Sequence, residues 1–388
     1  MKSGRKIGVV IAITIIITAI LTFFATTAFY TVLYNSNAVV DLYSGVKLAQ
    51  ALNLIDKHYY YGIDKKAFVD NTLKTMLNSM NDPYTTYMDT EEFSKFSQLI
   101  SGTYAGIGAV VLWDDELKAV VIVKPFDGSP AQNAGLVKGD KVLKIDGEDF
   151  ADIDLDRAVS KMKGEKGTHV LLTVLKADTG ETMDIDVVRD NILVPSVDSE
   201  LKGEVGYIAL SMFDAHTADE FNNHLNSMLN QGAKSILLDL RDNGGGLVDS
   251  AISVSNLLLK KDDMIFYTEN KEGKRVEYKS QGGQLDMPIA VLINENSASA
   301  AELLAGTLRD NTGAPLIGQK SYGKGVVQMT YPFADGSVVK LTVEKYYTPN
   351  GHDINNIGIA PDYEVDLLSD KDEQLQMALE VIKGLKTD

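Results

Sequence analysis

The chain of 388 residues contains no cysteine, which excludes disulfides, thiolate metal sites and a cysteine nucleophile together. Only five histidines are present, no two of them four apart, and the His-Glu-x-x-His signature of zinc peptidases is missing. No metal and no cofactor is therefore expected. Basic residues are also in short supply. There are 37 Lys and Arg against 54 Asp and Glu, giving a formal net charge of −17. That balance argues against nucleic acid as a partner, which needs a basic footprint. There is no internal repeat and no low-complexity tract. Hydrophobic residues make up 45% and charged residues 23%, ordinary globular usage that leaves apolar material for about two to three domains.

Charge is wholly absent from Ile7 to Leu33, a run of 27 residues rich in Ile, Val, Ala, Leu and Phe. About 20 such residues span a bilayer. Lys2, Arg5 and Lys6 precede the run and the first acid is Asp41. By the positive-inside rule the N-terminus is expected in the cytoplasm and the remainder outside it, a single-pass cell-membrane protein with Tyr30 and Tyr34 at the outer interface. The rival reading is a cleaved signal peptide, whose apolar core is shorter, about 7–15 residues; Ala25 to Ala28 is a weak cleavage site.

Beyond residues 1–34, the pattern divides the chain into a helical region at 35–100, a strand-rich segment at 101–189, an α/β body at 190–365 and a terminal helix within 366–388. In 101–189, five short strands alternate with two helices, one opened by Ser129-Pro130 and one at 154–162. In the body, strands are expected at 205–210, 235–240, 288–293, 315–317, 326–331 and 338–346, with helices at 218–230, 248–259 and 298–309.

Three segments of the body could carry chemistry. Asn294-Glu-Asn-Ser-Ala-Ser299 follows an apolar strand and precedes a helix, so Ser299 sits on a strand–turn–helix corner at the positive helix end. Ser299-x-x-Glu302 equally matches a capping box, a purely structural device. Lys324, 25 residues further on, stands between Gly323 and Gly325 at the mouth of a strand. A period of two places Lys324, Val326 and Gln328 on one face, while the bland alternative is a surface lysine in a glycine turn. Asn243-Gly244-Gly245-Gly246 follows a strand and precedes a helix, leaving backbone N–H groups unshielded for an anion or oxyanion, or merely turning the chain.

Together these segments resemble the carboxyl-terminal processing peptidases, tail-specific serine proteases with a PDZ domain. Asp82-Pro83-Tyr84-Thr85 is similar to the family's Asp-Pro-His-Ser turn with its last two residues changed. Gly102-x-x-x-Gly106-Ile107-Gly108 resembles the opening of its PDZ domain, and Asp239-Leu-Arg-Asp-Asn-Gly-Gly its glycine-loop motif. The resemblance covers nearly the whole chain after the apolar run. It implies a crotonase-like α/β protease core with an inserted PDZ domain. It implies Ser299 as nucleophile, Lys324 as general base, Gln328 as its support, and the backbone N–H groups of Gly244, Gly245 and Ala300 as oxyanion donors. A lysine base must be neutral at rest, so burial must lower its pKa.

The resemblance also implies that Gly106, Ile107, Gly108 and Ala109 capture a substrate's terminal carboxylate, with Ile107, Val111, Val159 and Met162 lining the tail pocket. Relatives often carry Arg before Gly-x-x-Gly-Thr; here Lys163 precedes Gly164, a point charge in place of a planar fork and a candidate regulatory position. The expected partners are proteins or peptides with free C-termini and the membrane. A homodimer through the helices at 41–80 and 370–386 is compatible with the family. Two other readings stay open on these residues: an inactive PDZ scaffold at the cell surface, and an acyl-CoA- or phosphate-binding crotonase relative.

Overall fold

The computed structural model describes residues 17, 18, 20–23, 26, 38–149, 154–366 and 371–385. The apolar run 7–33 lies almost wholly outside them. Among the described residues, no helix is long and apolar enough to cross a membrane. Two compact units divide at Leu77. The first holds α1 (Ala38–His58) and most of α2 (Lys65–Asn78), joined by a Lys65–Asp56 ion pair of 2.8 Å. Tyr43, Val46, Leu48 and Leu54 of α1 are exposed.

The second unit opens differently from the helical region expected up to residue 100. After α2, the Asp82-Pro83 turn leads into a strand, β1 (Thr86–Met88), which pairs antiparallel with a strand of the α/β body. Then comes α3 (Thr90–Ser101), capped by Asp89, whose side chain accepts from the N–H groups of Glu91 and Glu92.

The strand-rich segment follows as β2 (Thr103–Gly106), β3 (Ala109–Asp114), β4 (Ala119–Pro125), α4 (Pro130–Asn133), β5 (Lys141–Ile145), β6 (Glu148–Asp149), α5 (Leu155–Met162), β7 (His169–Leu175), β8 (Thr182–Val188) and β9 (Asp190–Leu193). Strands β3-β4-β5-β7-β8 form one antiparallel sheet in that order. In β7, Val170, Leu172 and Val174 are fully buried while Leu171 is exposed, the alternation a one-sided sheet requires. Strands β2 and β9 pair with each other, so the segment is entered and left through one two-stranded ladder.

The body contains β10 (Val197–Lys202), β11 (Val205–Leu210), α6 (Thr217–Asn230), β12 (Ser235–Asp239), α7 (Val248–Leu258), β13 (Met264–Asn270), β14 (Arg275–Lys279), β15 (Ile289–Ile293), α8 (Ala300–Thr312), β16 (Leu316–Gly318), β17 (Val326–Pro332), β18 (Val338–Tyr347), β19 (Tyr363–Glu364) and α9 (Glu373–Gly384). The main sheet runs β10-β11-β12-β15-β16-β19 and is parallel from β11 onwards. Every residue of β12 and β15 is buried. Parallel strands need both faces covered. One face packs on residues of α6, α7 and α8, such as Phe221, Val254 and Leu304, and the other on Ala378 and Ile382 of α9. A second sheet, β1-β18-β13-β14 with β17 on β18, lies beyond α8. The hairpin β13–β14 was not among the expected elements. The main-sheet strands deliver three loops at their carboxyl ends, after β11, β12 and β15, where open α/β sheets place their sites.

One buried ion pair locks the strand-rich segment. The Asp140 side chain is fully buried; it accepts from Lys176 Nζ at 2.5 Å and from the N–H groups of Val137 and Ala177 at 2.9 Å. Burial opposes its ionisation, but these donors hold its pKa below the ordinary value. Its contribution is therefore present above the unfolded carboxyl pKa and is lost as pH falls through the lower folded value. Asp140→Ala should cost about 3 kcal/mol of stability, because Lys176 is left buried. Equal thermal unfolding of variant and parent near neutral pH would contradict this.

Candidate active site

The loops after β12 and β15 are stitched into one corner. Asp242 N–H donates to Asn294 Oδ1, and the Asp242 carboxylate accepts from Asn294 and Asn296, which hold its pKa down. Asn243 Nδ2 donates to Leu210 O at 2.8 Å, and the Asn243 carbonyl accepts from Ala298 N–H at 2.9 Å. Ser297 Oγ is committed to this frame, donating to Leu240 O at 2.8 Å and accepting from Asn294 N–H at 2.9 Å. The other serine, Ser299, stands buried at the start of α8 with φ 56° and ψ −115°. A positive φ at a non-glycine residue is strain, the kind a nucleophile on a strand–helix corner carries. Gly245 makes the corner possible: a Cβ there would lie 2.8 Å from Ser299 Cβ and from Ala298 O.

Gly245 also departs from expectation. Its N–H is not free for an oxyanion but donates to Asn243 Oδ1 at 2.9 Å, because the asparagine side chain folds back across the loop. That leaves Gly244, which is exposed, and Ala300, the first residue of α8, where no carbonyl lies a turn back to accept its N–H.

A single carboxylate joins this corner to the lysine loop. Glu302 is completely buried. Its Oε2 accepts from the N–H groups of Ser299 and Lys324, both at 2.8 Å; its Oε1 accepts from Gly323 N–H at 2.7 Å and Ser321 Oγ at 2.6 Å. Tyr346, also buried, points its hydroxyl between Ser299 O at 2.9 Å and Lys324 O at 2.5 Å. The glycines flanking Lys324 let a second loop approach: a Cβ on Gly325 would lie 2.6 Å from Asn355 N, and one on Gly323 2.9 Å from Gly358 N. The capping-box spacing of Ser299 and Glu302 is thus real, but it serves more than the helix end.

Lys324 is half-buried, and its pKa is lowered, first by burial and then by the like charge of Lys340; Glu302 and Asp82 pull the other way. Its Nζ lies 4.8 Å from the centre of the Tyr84 ring, which places the Asp82–Thr85 turn at the site. Burial, with Tyr322, Glu302 and Asp82 nearby, pushes the Tyr84 phenol up to about 12. No hydrogen bond joins Lys324 Nζ to Ser299 or to Gln328. The expected common face of Lys324, Val326 and Gln328 is not formed: β17 begins only at Val326, and its pairing with β18 shifts register between Val327 and Gln328. Gln328 Nε2 instead donates to Val326 O and Thr342 Oγ1, both at 3.3 Å.

In the strand-rich segment, Ile107, Ala109, Val111, Val159, Met162 and Lys163 do converge, around a cavity of about 30 Å³. The sequence reading missed the residue that makes it so small, Tyr104. Lys163 Nζ lies 5.0 Å from its ring centre, and a Cβ on Gly106 would lie 2.8 Å from the ring edge. Burial raises the Tyr104 pKa, and the neighbouring backbone of Ala109 and Gly108 opposes that rise. Gly108 itself has φ 77° and no room for a Cβ against Ser129 and Ile192. Arg189 was also missed. Its buried guanidinium donates to the carbonyls of Lys161, Met162 and His169 and to Thr168 Oγ1, tying the end of α5 to the Gly164–Gly167 turn. A larger cleft, about 630 Å³, borders the corner at Asp242 and Asn294 and runs between Val110, Lys124 and Phe126 and the main-sheet residues Tyr207, Asp239 and Arg241; none of Ser299, Lys324 and Gln328 lines it.

Comparison with known proteins agrees with this architecture. Residues 204–365 match the model of peptidase family S41, residues 121–176 a PDZ domain, and residues 33–92 the N-terminal domain of the activating protease CtpB. The carboxy-terminal processing protease CtpA of Bacillus subtilis (strain 168) is 38% identical over 323 residues, covering 83% of this chain and 69% of the relative. A carboxyl-terminal-processing protease of Picosynechococcus sp. (strain ATCC 27264 / PCC 7002 / PR-6) is 36% identical over 348 residues, covering 84% of each. The solved photosystem II D1 C-terminal processing protease superposes with a TM-score of 0.50 at 27% identity, covering 82% of this chain and 87% of that one. The chain belongs to the carboxyl-terminal processing protease family of S41 peptidases, and it is a serine-type peptidase with a PDZ domain.

Glu302→Gln keeps the volume but turns an NH2 group towards backbone donors. It should lower kcat by ~10²-fold, since a misplacement of about 1 Å suffices for that, and reduce the melting temperature. Steady-state kinetics and thermal unfolding on the purified variant check it; wild-type turnover would show that the carboxylate does not align the site.

Proposed function

We propose that the chain is a carboxyl-terminal processing endopeptidase working through a Ser299–Lys324 dyad, anchored in the cell membrane by residues 7–33 with its catalytic part outside the cytoplasm. The observation that carries the dyad is Glu302, one carboxylate bonded to the backbone of both residues. In this reading neutral Lys324 takes the Ser299 Oγ proton while Oγ attacks the scissile carbonyl carbon. The resulting oxyanion accepts from the N–H groups of Ala300 and Gly244. Lys324 returns the proton to the leaving amine, and a water deprotonated by the same lysine hydrolyses the acyl ester. The side chains close to hydrogen-bonding distance only around substrate, as catalytic pairs often do. The parallel sheet with its loops at the carboxyl ends supports a crotonase-like core.

Ser299→Ala should abolish hydrolysis, by ~10⁴-fold or more, and Lys324→Arg should do the same although it keeps the charge, since arginine does not deprotonate. Wild-type kcat should climb with pH through the lowered Lys324 pKa, because only the neutral amine is a base. Turnover surviving in purified Ser299→Ala, or a rate that drops between neutral and mildly alkaline pH with the fold intact, would reject the dyad.

The PDZ segment recognises the substrate's free C-terminus in this reading. The carboxylate takes the N–H groups of Gly108 and Ala109 beside Tyr104, and the apolar tail displaces the Tyr104 ring and sits among Ile107, Val159 and Met162. Tyr104→Ala should therefore tighten binding of a free-acid apolar peptide by about tenfold while leaving a C-terminally amidated peptide weak. Calorimetry on both peptides is the check; equal affinities for acid and amide would rule out tail capture.

A further inference from the structure

Acids outnumber bases by 54 to 37, yet two half-buried lysines stand without one. Lys141, Lys161, Lys176 and Lys202, also sheltered, each pair with a carboxylate. Among the described residues, Lys324 and Lys340 have no carboxylate within ion-pair distance. Their ammonium groups rest on aromatic rings instead, Lys324 4.8 Å from the centre of Tyr84 and Lys340 5.1 Å from that of Phe96 in α3. A base that must lose its proton gains from such isolation; Lys340 is not that base. It sits in β18 between Thr330 of β17 and Thr86 of β1. The ladder is regular from Val338 to Thr342, so Lys340 and Thr342 share a face. Thr342 Oγ1 accepts from Gln328 Nε2 at 3.3 Å, and Thr342 N–H donates to Thr85 Oγ1 at 3.0 Å, which sets that face beside the Asp82–Thr85 turn on which Lys324 rests. Thr330, directly across the ladder from Lys340, is exposed, so the face opens to solvent there. Asp82, whose charge Lys340 feels, spends its carboxylate on Tyr84 N–H at 2.9 Å and Thr85 Oγ1 at 2.7 Å.

We propose that Lys340 is the receptor for a substrate carboxylate lying within a few residues of the scissile bond. The proposal rests on the Ser299–Lys324 reading, which puts that bond beside the lysine loop. A half-buried ammonium has given up part of its hydration and recovers little from a ring face. A carboxylate arriving with the substrate returns a charge-assisted hydrogen bond to it. Burial disfavours the charged form of Lys340, and the incoming anion favours it, so the group is most fully cationic when occupied. Two parts of a polypeptide offer this chemistry, the side chain of Asp or Glu and the chain's own C-terminus. Either one makes Lys340 a determinant of where the chain is cut.

Lys340 also repels the charge on Lys324, so replacing it alters the base. Comparing two substrates on one enzyme cancels that change. The full chain is given C-terminally amidated peptides in which Glu or Gln is placed in turn at each position near the cut, and a second pair in which the chain ends just beyond the cut as acid or amide. The wild type should favour the carboxylate member of one pair by about tenfold in kcat/KM, the worth of a hydrogen bond between charged groups. The Glu/Gln pair identifies a side chain as the source, the acid/amide pair the chain end. Lys340→Met should bring that ratio close to one, and Lys340→Arg should keep most of it. Calorimetric affinity of the PDZ segment for a free-acid tail should be the same in Lys340→Met and the parent; a loss there would place the effect in the PDZ segment and overturn the proposal. Equal rates within every pair for the wild type, or a preference that survives Lys340→Met, would also overturn it while leaving the dyad standing. Turnover by Ser299→Ala would instead remove the dyad and the proposal with it. Should Lys340→Met not fold, Lys340→Gln carries the same comparison.

Discussion

Four donors converge on the buried carboxylate of Glu302, and the corner that carries Ser299 and Lys324 depends on that convergence. Two backbone N–H groups, from Ser299 and Lys324, share one oxygen; Gly323 N–H and the Ser321 hydroxyl share the other. A buried charge is tolerated only when fully hydrogen-bonded. The requirement runs both ways. The carboxylate fixes the two loops, and the two loops must close for the carboxylate to be stable. The strained backbone of Ser299 is therefore held by the same contacts that set the position of Lys324.

The electrostatics of the lysine follow from what surrounds this hub. Burial and Lys340 disfavour its charged form, Glu302 and Asp82 favour it, and the Tyr84 ring receives its ammonium in place of a hydrogen bond. The balance favours the neutral amine more than for a solvated lysine. Among the described residues, no histidine hydrogen-bonds to Ser299, Glu302 or Lys324. The PDZ segment has its own version of a filled site. Tyr104 lines the small cavity together with Ile107, Met162 and Lys163, and the Lys163 amine rests over its ring.

Local pattern made much of this legible. The alternation of Val170 to Val174, the unbroken apolar strands β12 and β15, and the Gly loop before α7 are each a few residues of one-dimensional signal. What escaped depends on distant segments. Strand β1 is three residues whose pairing partner lies some 250 residues away. The hairpin β13–β14 carries a turn signal at Asn270 to Gly273, but the mixed polarity of its strands hides it. Glu302 looked like a helix cap because its other three donors come from residues 321–324. One clue was available: an acid in the otherwise apolar start of α8, between Ala301 and Leu303, must find partners. The face shared by Lys324 and Gln328 failed because period two holds only within a strand, and Lys324 precedes β17. The Gly245 N–H was assigned to the oxyanion because nothing in the sequence shows Asn243 folding back on it.

The most direct test of the account is covalent labelling with a serine-reactive fluorophosphonate, mapped by peptide mass spectrometry on the full chain. The account predicts one adduct, on Ser299, forming faster as pH rises through the lowered pKa of Lys324 and absent in Lys324→Arg. An adduct on Ser297 or Ser321, or undiminished labelling of Ser299 once Lys324 is arginine, would contradict it.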